Sequence, residues 1–71
     1  MLVAGRGKGV VTEFDELAGL GTISRNDGVA LPFHCMAIAD GSRTIDVGVE
    51  VAYRVCAAQK GRIEAIEVEK L

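Results

Sequence analysis

His34 and Cys35 are adjacent in the sequence, and their side chains are the pair best suited to acid–base or nucleophilic chemistry. Histidine titrates near neutral pH and a cysteine thiolate is a strong nucleophile, so the two form a catalytic dyad where they meet. Adjacent residues of a strand point to opposite faces, however, and we therefore expect these two side chains to diverge. We interpret Cys35 as a packing or surface residue and predict no dyad.

Other kinds of reactive site find little support in the sequence. The chain has one His, and Cys35 and Cys56 are far apart with no CxxC pair, so we predict reduced thiols and no metal site. Asp15 and Glu16 fall near a predicted turn, without the apolar pocket that makes a carboxyl group a general acid. We therefore predict no catalytic residues, no cofactor and no enzymatic activity.

The composition is that of one small globular domain. The 71 residues are 49% hydrophobic and 25% charged, which excludes intrinsic disorder and a collagen-like chain. No apolar run approaches the roughly 20 residues that a membrane-spanning helix needs, so we expect a cytoplasmic protein with no membrane partner. The net charge of −2 excludes nucleic-acid binding through bulk basicity, so any such binding needs a local patch.

Short β-branched runs between glycine-containing turns predict an all-β chain. We expect a long connection over residues 35–47, with a short helical turn at 36–39, and a bulge at Ala65 and Ile66 in the last strand. A helix is the competing interpretation of that last segment. The predicted strands cover residues 10–14, 20–24, 29–34, 49–56 and 62–69.

The first residues are interpreted as a flexible N-terminal lead-in over residues 1–8, followed by a single domain over residues 9–71. Arg6 and Lys8 alternate with glycines there, but no strand precedes them and no Lys-Ser/Thr pair follows, so this is not a nucleotide-binding loop. Five short strands and one long connection favour an antiparallel five-stranded oligonucleotide-binding (OB-fold) barrel, which leaves few open sheet edges. Leu31, Phe33, Phe14 and Tyr53 are predicted to fill it.

Two segments resemble the motifs of the bacterial cold-shock proteins. Residues 19–23, Gly-Leu-Gly-Thr-Ile, are similar to the family's first ribonucleoprotein motif, usually Gly-aromatic-Gly-aromatic-Ile. Residues 31–38 are similar to the second, usually Val-Phe-Val-His-Phe-Ser-Ala-Ile, and keep His34, Ala37 and Ile38. The resemblance runs from about Gly9 to Val68. It implies a cold-shock-type barrel that binds single-stranded RNA or DNA.

The aromatic side chains on which the family stacks bases are mostly replaced in this chain. Glu13 stands in place of a tryptophan, and Ser42 in place of a loop phenylalanine. Each stacked ring is worth about 1–3 kcal/mol, so their loss implies weak and weakly sequence-specific binding. The other replacements are Leu20, Thr22, Pro32 and Cys35.

The resemblance places His34 on the binding face, where an imidazole can stack on a base or contact a phosphate. The nearest candidate partners of the nucleic acid are Lys8, Thr22, Arg25 and Arg43. The alternative is a protein-interaction or homodimer module, because the rings are replaced by aliphatic and neutral side chains and not uniformly by charges. Its candidate interaction patch consists of Leu20, Pro32 and Cys35.

Overall fold

The computed structural model describes residues 3–57 and 61–71, which form one five-stranded antiparallel sheet with the strand order β3-β2-β1-β4-β5. The end strands β3 and β5 are in contact, and a parallel bridge joins Ile38 to Val68, so the sheet curls into a half-barrel. The predicted all-β, OB-like fold is confirmed. The strands are β1 (Val3–Asp15), β2 (Leu20–Arg25), β3 (Ala30–His34), β4 (Glu50–Ala57) and β5 (Ile63–Lys70).

The central strand β1 is shared between two neighbours that are offset along it. Its pairing with β4 runs from Val3 to Val10, and its pairing with β2 runs from Gly9 to Asp15. A register shift between Val11 and Glu13 lets this long strand bend from one neighbour to the other. The prediction of a flexible lead-in is therefore wrong for residues 3–8, which pair with β4, while Met1 and Leu2 lie outside the described residues.

Alternation of side chains along the strands builds the core. In β3, Leu31 and Phe33 are buried, whereas Ala30, Pro32 and His34 are exposed, as a period of two requires. Tyr53 is buried, and Phe14 is half-buried against Phe33, with ring centroids 6.0 Å apart. The four predicted core residues are confirmed in this role. The other buried hydrophobic residues are Val11, Ile23, Ile38, Ile45, Val51, Cys56, Ala65 and Val68.

Two glycines of β1 and β2 allow aromatic side chains to approach the backbone. A Cβ atom on Gly7 would lie 2.7 Å from the hydroxyl oxygen of Tyr53, and one on Gly21 would overlap the ring of Phe33. Side chains cannot occupy these positions without displacing the rings. The glycine spacing therefore reflects packing inside the barrel.

The segment 63–70 is a strand and not a helix, and its bulge lies later than predicted. β4 residues Ala52 and Arg54 pair with Glu69 and Ile66, so the extra residue falls at Glu67 and Val68 and not at Ala65 and Ile66. Glu67 has a φ of 49°, in the left-handed region that suits the bulged position but strains a side-chain-bearing residue. Its carboxylate lies 3.3 Å from Nε of Arg54.

The long connection begins with a 3₁₀ helix, Cys35–Ala37, which overlaps the predicted helical turn. Within residues 3–57 and 61–71, no helix is both long enough and apolar enough to cross a bilayer.

Candidate nucleic-acid interface

The outward side chains of β2 and β3 form a continuous surface, here called the outer face. Leu20 lies directly opposite His34, and Thr22 lies opposite Pro32. Leu20 is 53% exposed, His34 and Pro32 are also exposed, and Thr22 is half-buried. Because directly opposed residues are close neighbours on one side of a sheet, these four side chains form one patch. Sequence reasoning had placed all four on this surface.

The imidazole of His34 is oriented by the backbone that follows it. Its Nδ1 accepts a hydrogen bond of 3.1 Å from the backbone N–H of Met36, and so caps the 3₁₀ helix. Since Nδ1 acts as the acceptor, a neutral ring carries its proton on Nε2, which remains available as a donor. The cap thus holds a histidine ring at the end of β3 in a defined direction.

Cys35 does not point away from His34. Its Sγ lies 3.8 Å from Nδ1 of His34, because the chain leaves β3 at His34 and turns into the 3₁₀ helix. The backbone N–H of Cys35 donates to the carbonyl oxygen of Gly19 over 2.7 Å, which ties this turn to the start of β2. The expected divergence is therefore wrong, since strand alternation ends one residue too early. Cys35 is half-buried and packs against the core.

The outer face carries no aromatic ring besides that of His34. The chain has two Phe, one Tyr and no Trp, and all three rings pack in or against the core. Acidic side chains of β1 lie beside the outer face instead, with Glu13 opposite Thr22 and Asp15 opposite Leu20. They repel a phosphate chain, whereas the leucine, proline and histidine offer it neutral surface.

Lys8 and Arg25 both line a cleft of about 430 Å³ at the opposite end of β2. We call this the β1–hairpin cleft. Its wall also includes Arg6, Tyr53 and Asp27, the last from the turn between β2 and β3. Arg6 is a residue that sequence reasoning left out of the candidate site. The alternation of Arg6 and Lys8 with glycines was a signal in the sequence, but this segment was interpreted as a flexible lead-in.

Hydrogen bonds, neighbouring charges and burial shift the pKa values of two groups that line this cleft, Asp27 and Tyr53. Arg25 forms an ion pair of 2.6 Å with Asp27. The backbone N–H of Val29 donates to Asp27 and, with Arg25, lowers the pKa of its carboxyl group. Burial raises the pKa of Tyr53, an effect that Arg25 opposes and Asp27 reinforces. Lys8 and Arg6 are exposed and have no ion pair within the described residues.

Arg43 is placed away from this cleft. It is exposed in the long connection and lines a small pocket of about 140 Å³ with Cys35 and Met36. Met36, which is 73% exposed, is a second residue of this region that sequence reasoning missed. Among the described residues, no group of three or more His, Cys, Asp or Glu side chains is arranged to hold a metal ion.

Comparison with known proteins finds a matching family, and its match covers the motifs on β2 and β3. No curated protein matches the chain. The profile of the 'Cold-shock' DNA-binding domain matches residues 7–71, which include every residue of the outer face. The chain therefore belongs to the cold-shock domain family, a family of nucleic-acid-binding domains.

Proposed function

We propose that this protein binds single-stranded RNA or DNA on its outer face, weakly and with little sequence specificity. The proposal rests on two cross-strand pairs of β2 and β3, Leu20–His34 and Thr22–Pro32. These are the positions at which the family resemblance puts base-contacting side chains. His34 is the centre of the site, because its ring offers both a flat face and an Nε2 donor.

Weak binding follows from the side chains on the outer face. Base–aromatic stacking supplies about 1–3 kcal/mol per base, and only His34 offers a ring there. Leu20 and Pro32 provide apolar contact without a π face. Affinity is reduced further by the carboxylates of Glu13 and Asp15 beside them. Little sequence specificity follows too, since few donors and acceptors are placed to read base edges.

Anisotropy of a labelled heptathymidine and of the matching RNA tests the proposal. We expect saturable binding in the micromolar range that weakens between about 50 mM and 200 mM salt, since phosphate contacts release counterions. His34→Ala should raise the Kd several-fold. Lys70→Ala, a change on the end strand β5, is the control. The absence of binding up to about 100 μM at the lower salt contradicts the proposal, and an unchanged Kd for His34→Ala removes this residue from the site.

A protein-interaction or homodimer module is the second candidate function. It is favoured by the exposure of Leu20 and of Pro32 on the same patch. Cys35 contributes less to this patch, because it is half-buried against the core. Sedimentation at micromolar concentration separates the candidates. A dimer that Leu20→Glu dissociates favours the second candidate, and a monomer that binds the oligonucleotides favours the first.

A further inference from the structure

The N-terminal half of β1 has an open edge beside the β1–hairpin cleft. β2 ends at Arg25, which pairs with Gly9, so the residues of β1 before Gly9 extend past the end of β2. On the other side they pair with β4 as far as Val3. The offset between the two neighbours of β1 thus leaves one edge of residues 5–8 uncovered by β2.

The backbone groups on that open edge belong to Arg6 and Lys8. Val11 donates to Val49 and accepts from Gly48, so its polar groups point toward the β4 side. Successive residues of an antiparallel strand alternate between the two sides, which directs those of Arg6 and Lys8 toward the cleft. The pairing of β1 with β2 begins at the Gly9–Arg25 pair, so neither Arg6 nor Lys8 is paired with a residue of β2.

Among the described residues, the side chains of Arg6 and Lys8 form no ion pair, and Arg6 also borders a groove that Glu67 and Glu69 line. Arg25 is engaged with Asp27, whereas Arg6 and Lys8 are exposed and lie opposite Arg54 and Ala52 of β4. Strand alternation places the side chains of Arg6 and Lys8 on the face of β1 opposite to Gly7 and the buried Tyr53, so these cations lie at the rim of the cleft while their backbone groups face it. A strand edge with cations at its rim offers both N–H donors and positive charge to an anion. Three cations, Arg6, Lys8 and Arg25, and one carboxylate, Asp27, line the cleft, although the net charge of the chain is −2.

We infer that the β1–hairpin cleft binds a backbone phosphate of the nucleic-acid strand, held by Arg6 and Lys8. This inference rests on the proposed function and extends it beyond the outer face. The family match begins at residue 7, so Arg6 and the start of β1 lie outside the matched range. Leu20 and Arg25 are the two ends of β2, about 17 Å apart at roughly 3.3 Å per residue. A strand bound at His34 therefore reaches the cleft only if it is several nucleotides long.

The dependence of binding on salt and on length tests this contact. Labelled oligothymidines of about 4 and about 12 nucleotides are titrated over a salt series with wild type, Arg6→Ala, Lys8→Ala, the double variant and the control Lys70→Ala. For the longer strand we expect the double variant to reduce the slope of log K against log salt by about 0.7, the value for one phosphate contact, and each single substitution to reduce it by no more than that. The shorter strand should show no such change. Equal slopes for wild type and the double variant overturn the inference.

Two further arms identify the phosphate and separate the two proposals. Strands with and without a 5′-phosphate should bind alike. If Arg6→Ala and Lys8→Ala weaken the binding of the 5′-phosphorylated strand alone, the assignment to a backbone phosphate is overturned. Backbone amide shifts of Arg6 and Lys8 are also followed by NMR while tripolyphosphate is added. If the wild type binds no oligonucleotide, the proposed function fails. The anion site then stands if these shifts saturate in the wild type and not in the double variant, and it falls otherwise.

Discussion

A Cβ atom on Gly7 of β1 would lie 2.7 Å from the hydroxyl oxygen of Tyr53, its cross-strand neighbour on β4. Tyr53 is only 3% exposed, and it lines the β1–hairpin cleft. The absence of a side chain at residue 7 therefore lets a large ring close the core beneath a polar cleft. This relationship links the stability of the barrel to the geometry of the proposed phosphate site.

Gly7→Ala should destabilise the protein by about 1–3 kcal/mol, because the added methyl group forces the buried ring to move. Urea denaturation measures the change. The matched test is the same substitution in a Tyr53→Phe background, where the nearest clashing atom is gone. We expect the cost of Gly7→Ala to be smaller there, and equal costs in the two backgrounds would contradict a clash with the hydroxyl group.

Tyr53 should ionise at a pH above its ordinary value of 10.0, because burial raises its pKa. A folded-state pKa above that of the unfolded state means that the native chain retains the proton longer. The resulting stability is fully present below pH 10 and is lost as the pH rises through the folded-state pKa. The tyrosinate absorbance reports this residue alone, since it is the single tyrosine. Titration at or below the ordinary value would contradict the prediction, and Tyr53→Phe should remove this part of the alkaline destabilisation.

Leu20→Phe should strengthen oligonucleotide binding. The side chain is exposed directly opposite His34, so a ring there adds a stacking surface worth about 1–3 kcal/mol, or about 5- to 150-fold in Kd. Anisotropy with heptathymidine measures the gain. Ile63→Phe, on an exposed position of β5, is the control and should leave the Kd unchanged. An equal gain in both variants would indicate nonspecific apolar binding, and no gain in either would argue against the outer face as the site.

Glu67→Gly should be more stable than Glu67→Ala by about 1 kcal/mol. Both substitutions remove the exposed ion pair with Arg54, which is worth at most about 1 kcal/mol, but only glycine adopts the positive φ of this bulge without strain. Urea denaturation of the two variants isolates the backbone effect. Equal stabilities would show that the bulge does not hold residue 67 in the left-handed region.

The strands and their faces were largely accessible from the sequence. Period-two alternation placed Leu31 and Phe33 inside and Pro32 and His34 outside, because neighbouring strand residues must face opposite sides. Glycine-containing turns marked four of the five strands to within one or two residues. The bulge at Glu67 was misplaced, since a bulge depends on which residues the partner strand pairs with, and this is not a local property.

The candidate site, like the fold, was predictable from the sequence only in part. The motif positions of Leu20, Thr22, Pro32 and His34 were enough to predict that these side chains share the outer face. The contact of Cys35 with His34 depended on where β3 ends and the 3₁₀ helix begins. A strand rule applied one residue too far therefore predicted the opposite.

The amino-acid sequence by itself determined the fold class, the outward set of side chains and the loss of aromatic rings. These follow from local periodicity and residue type. Only the tertiary structure showed that residues 3–8 extend β1, that Gly7 accommodates Tyr53, and that Arg6 and Lys8 line one cleft with Arg25. The physical reason is that β1 pairs with β2 and β4 over different lengths, and such an offset is fixed by the packing of the whole barrel.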